Sequence, residues 1–504
     1  MQQMNFKYKR TKVIATLGPA ITGKIFTWQQ FNDPKNVGII EDAYNNMEKI
    51  IDAGVNIVRL NFSHGTHEEQ EIRIKIARDC AQKLNRNVAV MLDTKGPEIR
   101  VGKFKTDDLY TINIGSIVKI FTKDRKLGDE KQFYVVDSTG TYNMAKDVKT
   151  DGMILIDDGK LQLQITKVDI AKGVIEAQAL NTHAICENKR INLPDTKYTL
   201  PFLSKKDEND IKFAIKNNIE YIALSFVNSA ENIKQIRKIL KENNANENMQ
   251  LIAKIESTEG IRNIDEIIAE TNGVMVARGD LALEIPFFDI PYWEKYIIKK
   301  CRFIGKPVII ATQMLDSLER SLLPTRAEVT DVFFAVDRGA DATMLSGETA
   351  KGAFPIRSVE VMSTIDYTAE QLFDYKRSLN VYFPNTNYPK YAKDIAIKIA
   401  KKVLPSEKDN RLIFPTDVVV VFSNDSEVIW AIASIRPAAN IFVMTNDKNL
   451  RTKFAINYGI FVRYFESFTD LNNTFLEYAQ TALKNIPYTN GLVLYKNKFY
   501  ELPK

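Results

Sequence analysis

Two short stretches carry polar residues at every second position. Arg59, Asn61 and Ser63 stand at i, i+2 and i+4, and Lys254 and Glu256 stand two apart. In an extended strand that spacing puts them on one face. Other apolar runs also end in polar residues: Asp93-Thr94-Lys95, Arg278-Gly279-Asp280, Thr312-Gln313, and Ser346 with Glu348. Charges in such places are costly unless partnered, so they form either structural ion pairs around a rim or a polar site. Their types complement one another. Glu256 and Asp280 can hold one Mg²⁺, which prefers a few carboxylates completed by substrate oxygens and water. Arg59 and Lys254 can neutralise an anionic substrate. A divalent cation beside fixed positive charges suits phosphoryl transfer, which depends mainly on positioning and electrostatics.

The elements that must position these residues form a recurring unit. A short run rich in Val, Ile and Ala ends in polar residues, and a helical pattern follows. The runs are Lys12–Gly18, Asn56–Phe62, Asn87–Thr94, Tyr221–Phe226, Gln250–Ser257, Gly273–Arg278, Pro307–Thr312 and Asp341–Gly347. They are mostly apolar throughout, as strands buried on both faces are. Helical patterns such as Asp207–Lys216 and Pro291–Phe303 lie between them. Eight strands with helical crossovers point to a (β/α)8 barrel, whose C-terminal strand ends build the active site; an open doubly wound sheet is the competing topology. Between the third and fourth runs, residues 97–199 alternate in short strands at Leu109–Ile114, Ile117–Phe121, Gln132–Val136, Met153–Ile156, Leu161–Thr166 and Val174–Ala179. This reads as an inserted small β-barrel. Beyond residue 367, strands at Asp417–Phe422, Asn440–Thr445, Ile460–Phe465 and Gly491–Tyr495 suggest an open C-terminal α/β domain. The expected division is therefore 1–96 plus 200–367 for the barrel, 97–199 for the insertion and 368–504 for the last domain. Residues 23–40 read as a surface excursion without assigned function.

Composition narrows the class. The chain has 504 residues, roughly three domains at about 150 each, with 45% hydrophobic and 26% charged residues. These are ordinary globular values. The net charge of +6 is spread along the chain and gives no nucleic-acid footprint. Cys80, Cys186 and Cys301 are far apart and form no CxxC pair; reduced thiols in the cytoplasm are the simplest reading. The first residues lack the apolar core of a signal peptide, and no run of about 18 apolar residues suggests a membrane span. No Walker A pattern occurs, protein-kinase signatures are absent, and the three histidines are not spaced as metal ligands.

Six motifs in order carry a resemblance: Arg59-Leu-Asn-Phe-Ser-His-Gly65, Leu92-Asp-Thr-Lys-Gly-Pro-Glu-Ile-Arg100, Ala253-Lys-Ile-Glu256, Met275-Val-Ala-Arg-Gly-Asp-Leu281, Ala311-Thr-Gln-Met-Leu315 and Met344-Leu-Ser-Gly-Glu-Thr-Ala-Lys-Gly352. Together they closely resemble the pyruvate kinase family, densely in the barrel and weakly in the last 130 or so residues. The resemblance implies a barrel with a β-barrel lid after strand three and a C-terminal α/β domain, and transfer of phosphate from phosphoenolpyruvate to ADP. It implies Mg²⁺ (or Mn²⁺) at Glu256 and Asp280, and K⁺ among Asn61, Ser63, Asp93 and Thr94. Arg59 and Lys254 would hold the transferring phosphoryl group, with Asn61 and His64 near the nucleotide phosphates. Arg100 and Lys189 would contact nucleotide from the lid. Amides of Gly279 and Asp280 would receive the substrate carboxylate, and Thr312 would lie near the carbon that becomes a methyl group. A cytoplasmic homotetramer without nucleic-acid or membrane partners is also implied.

Departures from the family pattern are Arg190 in place of a usual glycine, Ala282 after Gly279-Asp280-Leu281, and Val101 where potassium-dependent members often carry a hydroxyl. Glu98 matches the glutamate that accompanies potassium dependence. The loop Ser423-Asn-Asp-Ser-Glu427 lacks the hydroxyl-and-glycine pattern of members activated by sugar phosphates, so weak or no activation through it is expected; Arg436 and Lys448 offer the makings of a different anion site. Two rivals remain on sequence alone: a metal-dependent barrel lyase, which needs no nucleotide, and a non-catalytic RNA-binding scaffold, which predicts salt-sensitive binding and tolerance of Lys254→Ala.

Overall fold

A computed structural model describes residues 8–405, 417–468, 471–484 and 486–502; the expected outer limits at residues 1 and 504 lie outside these. The eight apolar runs are all strands: β1 (Lys12–Thr16), β2 (Val55–Asn61), β3 (Ala89–Asp93), β4 (Tyr221–Leu224), β5 (Gln250–Ile255), β6 (Gly273–Ala277), β7 (Val308–Ala311) and β8 (Ala342–Leu345). Each pairs in parallel with its sequence neighbours, and β8 closes on β1. The closed barrel excludes the open-sheet alternative. Alternation along each strand separates two cores. Val13, Val58, Val90 and Leu251 face the surrounding helices, while Ile57, Met91, Ile252 and Met275 fill the interior. Following the inward face upward leads from Ile57 to Arg59 and Asn61, from Met91 to Asp93, and from Ile252 to Lys254 and Glu256. The interior thus changes from apolar to charged toward the C-terminal strand ends. Ile456 of the C-terminal region joins the apolar cluster from below, and the Tyr221 hydroxyl donates to the Lys453 carbonyl at 2.6 Å.

The insertion is a second closed barrel of seven strands. Five of its expected strands are present there. The expected strand at 109–114 is instead Tyr110–Ile112, paired with His183–Ile185 in a separate two-stranded ribbon. Two three-residue strands, Ile99–Val101 and Arg190–Asn192, close the small barrel. They are too short to show a period in sequence. The C-terminal sheet has five strands, the four expected ones plus an antiparallel edge at Lys498–Glu501. Residues 37–40, read as part of the surface excursion, begin helix Val37–Asp52. The boundary expected at 367 falls inside helix Pro355–Glu370, whose last carboxylate accepts from the backbone amides of Arg10 and Thr11.

Candidate active site

The C-terminal ends of β2 to β6 and one rim of the small barrel enclose a polar cleft of about 390 Å³. A larger cavity of about 830 Å³ lies near Asn87 and Arg463, beside the C-terminal sheet; the smaller cleft is the candidate site because the charged strand ends converge there. From the barrel, Arg59, Asn61, Ser63, His64, Asp93 and Thr94 line it, together with Lys254, Glu256 and Asp280. Arg100 and Lys189 line it from the lid side. Of the expected site residues, only Gly279 and Thr312 stand outside this lining, and the two touch each other: the Gly279 amide donates to Thr312 Oγ1 at 2.7 Å.

On the barrel side the charges pair tightly. Arg59 Nε donates to Asp93 Oδ2 at 2.7 Å and Arg59 Nη1 to Thr16 Oγ1 at 2.8 Å. Lys254 Nζ donates to Asp93 Oδ1 at 3.0 Å and to Ser225 Oγ at 2.8 Å. It also lies 3.0 Å from Glu256 Oε1, but without hydrogen-bond alignment, so this buried oxygen has charge attraction and no hydrogen-bond partner. The other Glu256 oxygen accepts from the Phe226 amide at 2.7 Å. Burial pushes the Glu256 carboxyl up to about 7, against the pull of Lys254. Burial also opposes charge on Asp93, yet Arg59 and Lys254 outweigh it and hold that carboxyl below its ordinary value. Lys254 is likewise raised, because Asp93 and Glu256 overcome the cost of its burial.

The donor set fits a divalent cation completed by substrate. Glu256 offers an oxygen without a hydrogen-bond partner and Asp280 a second carboxylate. No cluster of three or more His, Cys, Asp or Glu suited to a metal occurs among the described residues. Mg²⁺ takes one or two carboxylates and fills its remaining positions with water and substrate oxygens. Around the expected potassium oxygens, Asn61 Oδ1 accepts from the Ser63 amide at 3.0 Å, and Thr94 Oγ1 accepts from the Ser225 amide at 3.1 Å.

Strain marks two strand ends. Thr312 and Gln313 have φ of 68° and 52°, and Phe226 has φ of 56°; a β-branched residue there is a genuine outlier. Arg278 braces the first pair, with Nη2 donating to the carbonyls of Thr312 at 2.9 Å and Gln313 at 3.3 Å. It is itself fixed by Glu294 at 3.1 Å and Asp331 at 2.7 Å. Glu348 accepts from the amides of Leu315 and Ser346, so it ties β7 to β8 rather than facing the cleft.

The lid side is looser. Arg100 donates to Glu98 at 3.0 Å and to the Asn188 carbonyl at 2.8 Å. Lys189 pairs with Asp157 at 2.8 Å, and Asp157 also meets His183 at 3.0 Å. Sequence reasoning missed Ser225, Phe226 and Asp157. Ser225 directly follows the apolar run of β4, the same signal that exposed Asp93 and Asp280. Asp157 lay concealed in a turn, Asp157-Asp158-Gly159. Arg436 is corrected: instead of offering an anion site, it is buried against Asp341 at 3.0 Å and the carbonyls of Gly339 and Ala340.

An eight-stranded barrel whose cations pair with neighbouring carboxylates under one rim of a second barrel suits phosphoryl transfer, the chemistry of a phosphotransferase. Residues 8–359 match the profile described as "Pyruvate kinase, barrel domain". The pyruvate kinase of Mycoplasma pneumoniae is 50% identical over 90% of this chain and 89% of its own length. That of Mycoplasma genitalium is 48% identical over the same shares. A crystal structure of a pyruvate kinase from Cryptosporidium parvum aligns with a TM-score of 0.86 at 30% identity, covering 100% of this chain and 98% of that one. The chain belongs to the pyruvate kinase family. It is a phosphotransferase that moves the phosphoryl group of phosphoenolpyruvate to ADP, giving pyruvate and ATP in the final step of glycolysis.

Proposed function

We propose that the barrel-side cluster carries the chemistry and the lid side carries the nucleotide. Arg59 and Lys254 receive the transferring phosphoryl group, whose charge spreads over its oxygens as it moves. Fixed cations in a water-poor site are worth most at that moment. Glu256 and Asp280 hold Mg²⁺, which when bound supplies further positive charge to phosphate oxygens. Amides of Gly279 and Asp280 take the substrate carboxylate. Since the Gly279 amide already donates to Thr312 Oγ1, substrate entry exchanges that bond and leaves the Thr312 hydroxyl beside the enolate. Asn61, His64, Arg100 and Lys189 meet the nucleotide phosphates. Lid residues 97–199 close over the cleft and exclude water. The observation that carries this reading is Lys254, held within 3.0 Å of both Asp93 and Glu256, with a Glu256 oxygen left without a hydrogen-bond partner.

Asn61, Ser63, Asp93 and Thr94 provide K⁺ with a compact set of oxygens at adjacent strand ends. Glu98 adds no positive charge that would replace it; its carboxylate neutralises Lys95 at 3.3 Å and Arg100 at 3.0 Å. A coupled pyruvate assay with ADP tests the set. Activity should require a divalent cation and fall sharply when K⁺ is replaced by a large organic cation at constant ionic strength. Glu98→Lys should blunt that fall. Equal rates with and without K⁺ would remove the potassium reading.

The enzyme works as a cytoplasmic homotetramer in this proposal. Exposed Phe287, Phe288, Tyr292, Leu322 and Leu323 support self-association, and the three cysteines are free. No helix among the described residues is long and apolar enough to cross a membrane. Sedimentation at about four chain masses is the expected result.

A further inference from the structure

Arg190 belongs to the lid by its backbone and to the barrel by its tip. Its strand is clamped between Ile99–Val101 and Met153–Ile156 of the small barrel. Its guanidinium crosses the cleft, where Nη1 donates to Asp280 Oδ1. The same group lies 4.8 Å from the centre of the Phe226 ring. Phe226 is held at φ 56°, and its amide is spent on Glu256. Arg190 therefore rests on one carboxylate of the proposed cation site and on the residue that orients the other. The side chain is only 18% exposed, and besides Asp280 it feels the attraction of Glu98 and Glu256. A fixed positive charge thus stands on one of the carboxylate oxygens that a divalent cation would need.

We infer that Arg190 is a positioning residue that competes with the divalent cation for Asp280 and so links cation binding to the position of the lid. Without the cation, the guanidinium neutralises Asp280 and pins the lid to the barrel. When the cation takes Asp280, the guanidinium is repelled, the lid is released, and the arginine is left free to turn toward a phosphate-bearing ligand, which suits its planar fork. The linkage is reciprocal: whatever holds the lid down weakens the cation, and the cation loosens the lid. The inference rests on the reading of Glu256 and Asp280 as cation ligands.

The test is Mn²⁺ binding to the full, substrate-free enzyme, read as free Mn²⁺ by electron paramagnetic resonance. If the latch is closed in about nine molecules of ten, removing it tightens apparent binding about tenfold. Arg190→Ala should show that gain. Arg190→Lys keeps the charge without the fork and should show a smaller one. Phe226→Leu removes the ring under the guanidinium and should shift affinity in the same direction, which protects the test against a misfolded Arg190 variant. An unchanged or weakened Mn²⁺ affinity in Arg190→Ala and Phe226→Leu overturns the latch. Glu256→Gln separates the two readings: if it leaves Mn²⁺ binding intact, the cation site itself is wrong and the latch falls with it.

A second readout follows the lid without any substrate. Spin labels at Lys172→Cys in the lid and Lys238→Cys on the barrel, in a Cys186→Ser background, report their separation. Added Mg²⁺ should change the separation in the otherwise native enzyme and leave it unchanged in Arg190→Ala. A lid that ignores Mg²⁺ in both overturns the linkage.

Discussion

The two walls of the cleft are built differently. On the barrel wall, the Arg59, Asp93, Lys254 and Glu256 side chains are each at most 10% exposed and pair with one another across the ends of strands β2, β3 and β5. On the lid wall, the Arg100, Lys189 and Arg190 side chains are 20%, 33% and 18% exposed, each with a carboxylate partner at the cleft. A buried network keeps its geometry because losing any member leaves an uncompensated charge. A partly exposed pair exchanges partners more cheaply, since solvent screens part of what it loses. The barrel wall is therefore set before substrate arrives, and the lid wall can trade its internal partners for a ligand's phosphates. Substitutions in the barrel wall should lower kcat, and substitutions in the lid wall should raise KM.

The largest effect belongs to Lys254. Lys254→Met removes the fixed charge proposed to face the transferring group and should lower kcat on the order of 10²-fold or more, with much less change in the KM for phosphoenolpyruvate. Steady-state kinetics with both substrates varied would show it, and near-normal turnover would break the contrast at its strongest point.

A smaller effect, of the other kind, is expected at Lys189. Lys189→Ala should raise the KM for ADP about tenfold, the loss of roughly 1.4 kcal/mol of binding, while kcat stays within a few-fold. A kcat collapse comparable with that of Lys254→Met would erase the distinction between the walls.

The seam between the walls should show in stability. Glu284 sits on the barrel below the lid residue Tyr198, whose hydroxyl is 3.4 Å away. Burial pushes its carboxyl up to about 8. Because the folded state holds this proton more tightly than the unfolded chain, the contribution is full below the ordinary value of 4.5 and is lost as pH rises through about 8. Glu284→Gln should match the parent near pH 4 and become more stable with rising pH, by a few degrees in unfolding midpoint at pH 9. Parallel curves across that range would show that the seam does not titrate.

The smallest effect is expected farthest from the cleft. Asp425 caps helix Ser426–Ile435 by accepting from the Glu427 and Val428 amides, so the donors a phosphate would seek there are taken. Fructose 1,6-bisphosphate should change half-saturation by less than about twofold through this loop. A strong micromolar response abolished by loop mutation would contradict it.

How far these walls could be read beforehand follows from their construction. The barrel wall was legible because strands buried on both faces are continuous apolar runs, and a charge ending such a run stands out. Arg59, Lys254 and Glu256 announce themselves in that way. Ser225 does so only weakly, because a lone serine after Leu224 resembles any strand end. The lid wall was less legible because its framing strands, Ile99–Val101 and Arg190–Asn192, are three residues long and show no periodicity. The crossing from Arg190 to Asp280 spans 90 positions and exists only once both barrels are closed. Arg436 shows the opposite failure: a cation expected to help build an anion site ends helix Ser426–Ile435 and is buried against Asp341 and the carbonyls of Gly339 and Ala340, just before β8.

The claim that the barrel wall performs the transfer is tested most directly by separating the two halves of the reaction in Lys254→Met. Exchange of solvent deuterium into the methyl group of pyruvate follows proton movement at the enolate carbon, and ADP-dependent pyruvate formation follows phosphoryl transfer. The account predicts that transfer collapses while exchange persists near its parent rate, because proton movement does not draw on the Lys254 charge. Equal loss of both activities, or survival of transfer, would contradict it.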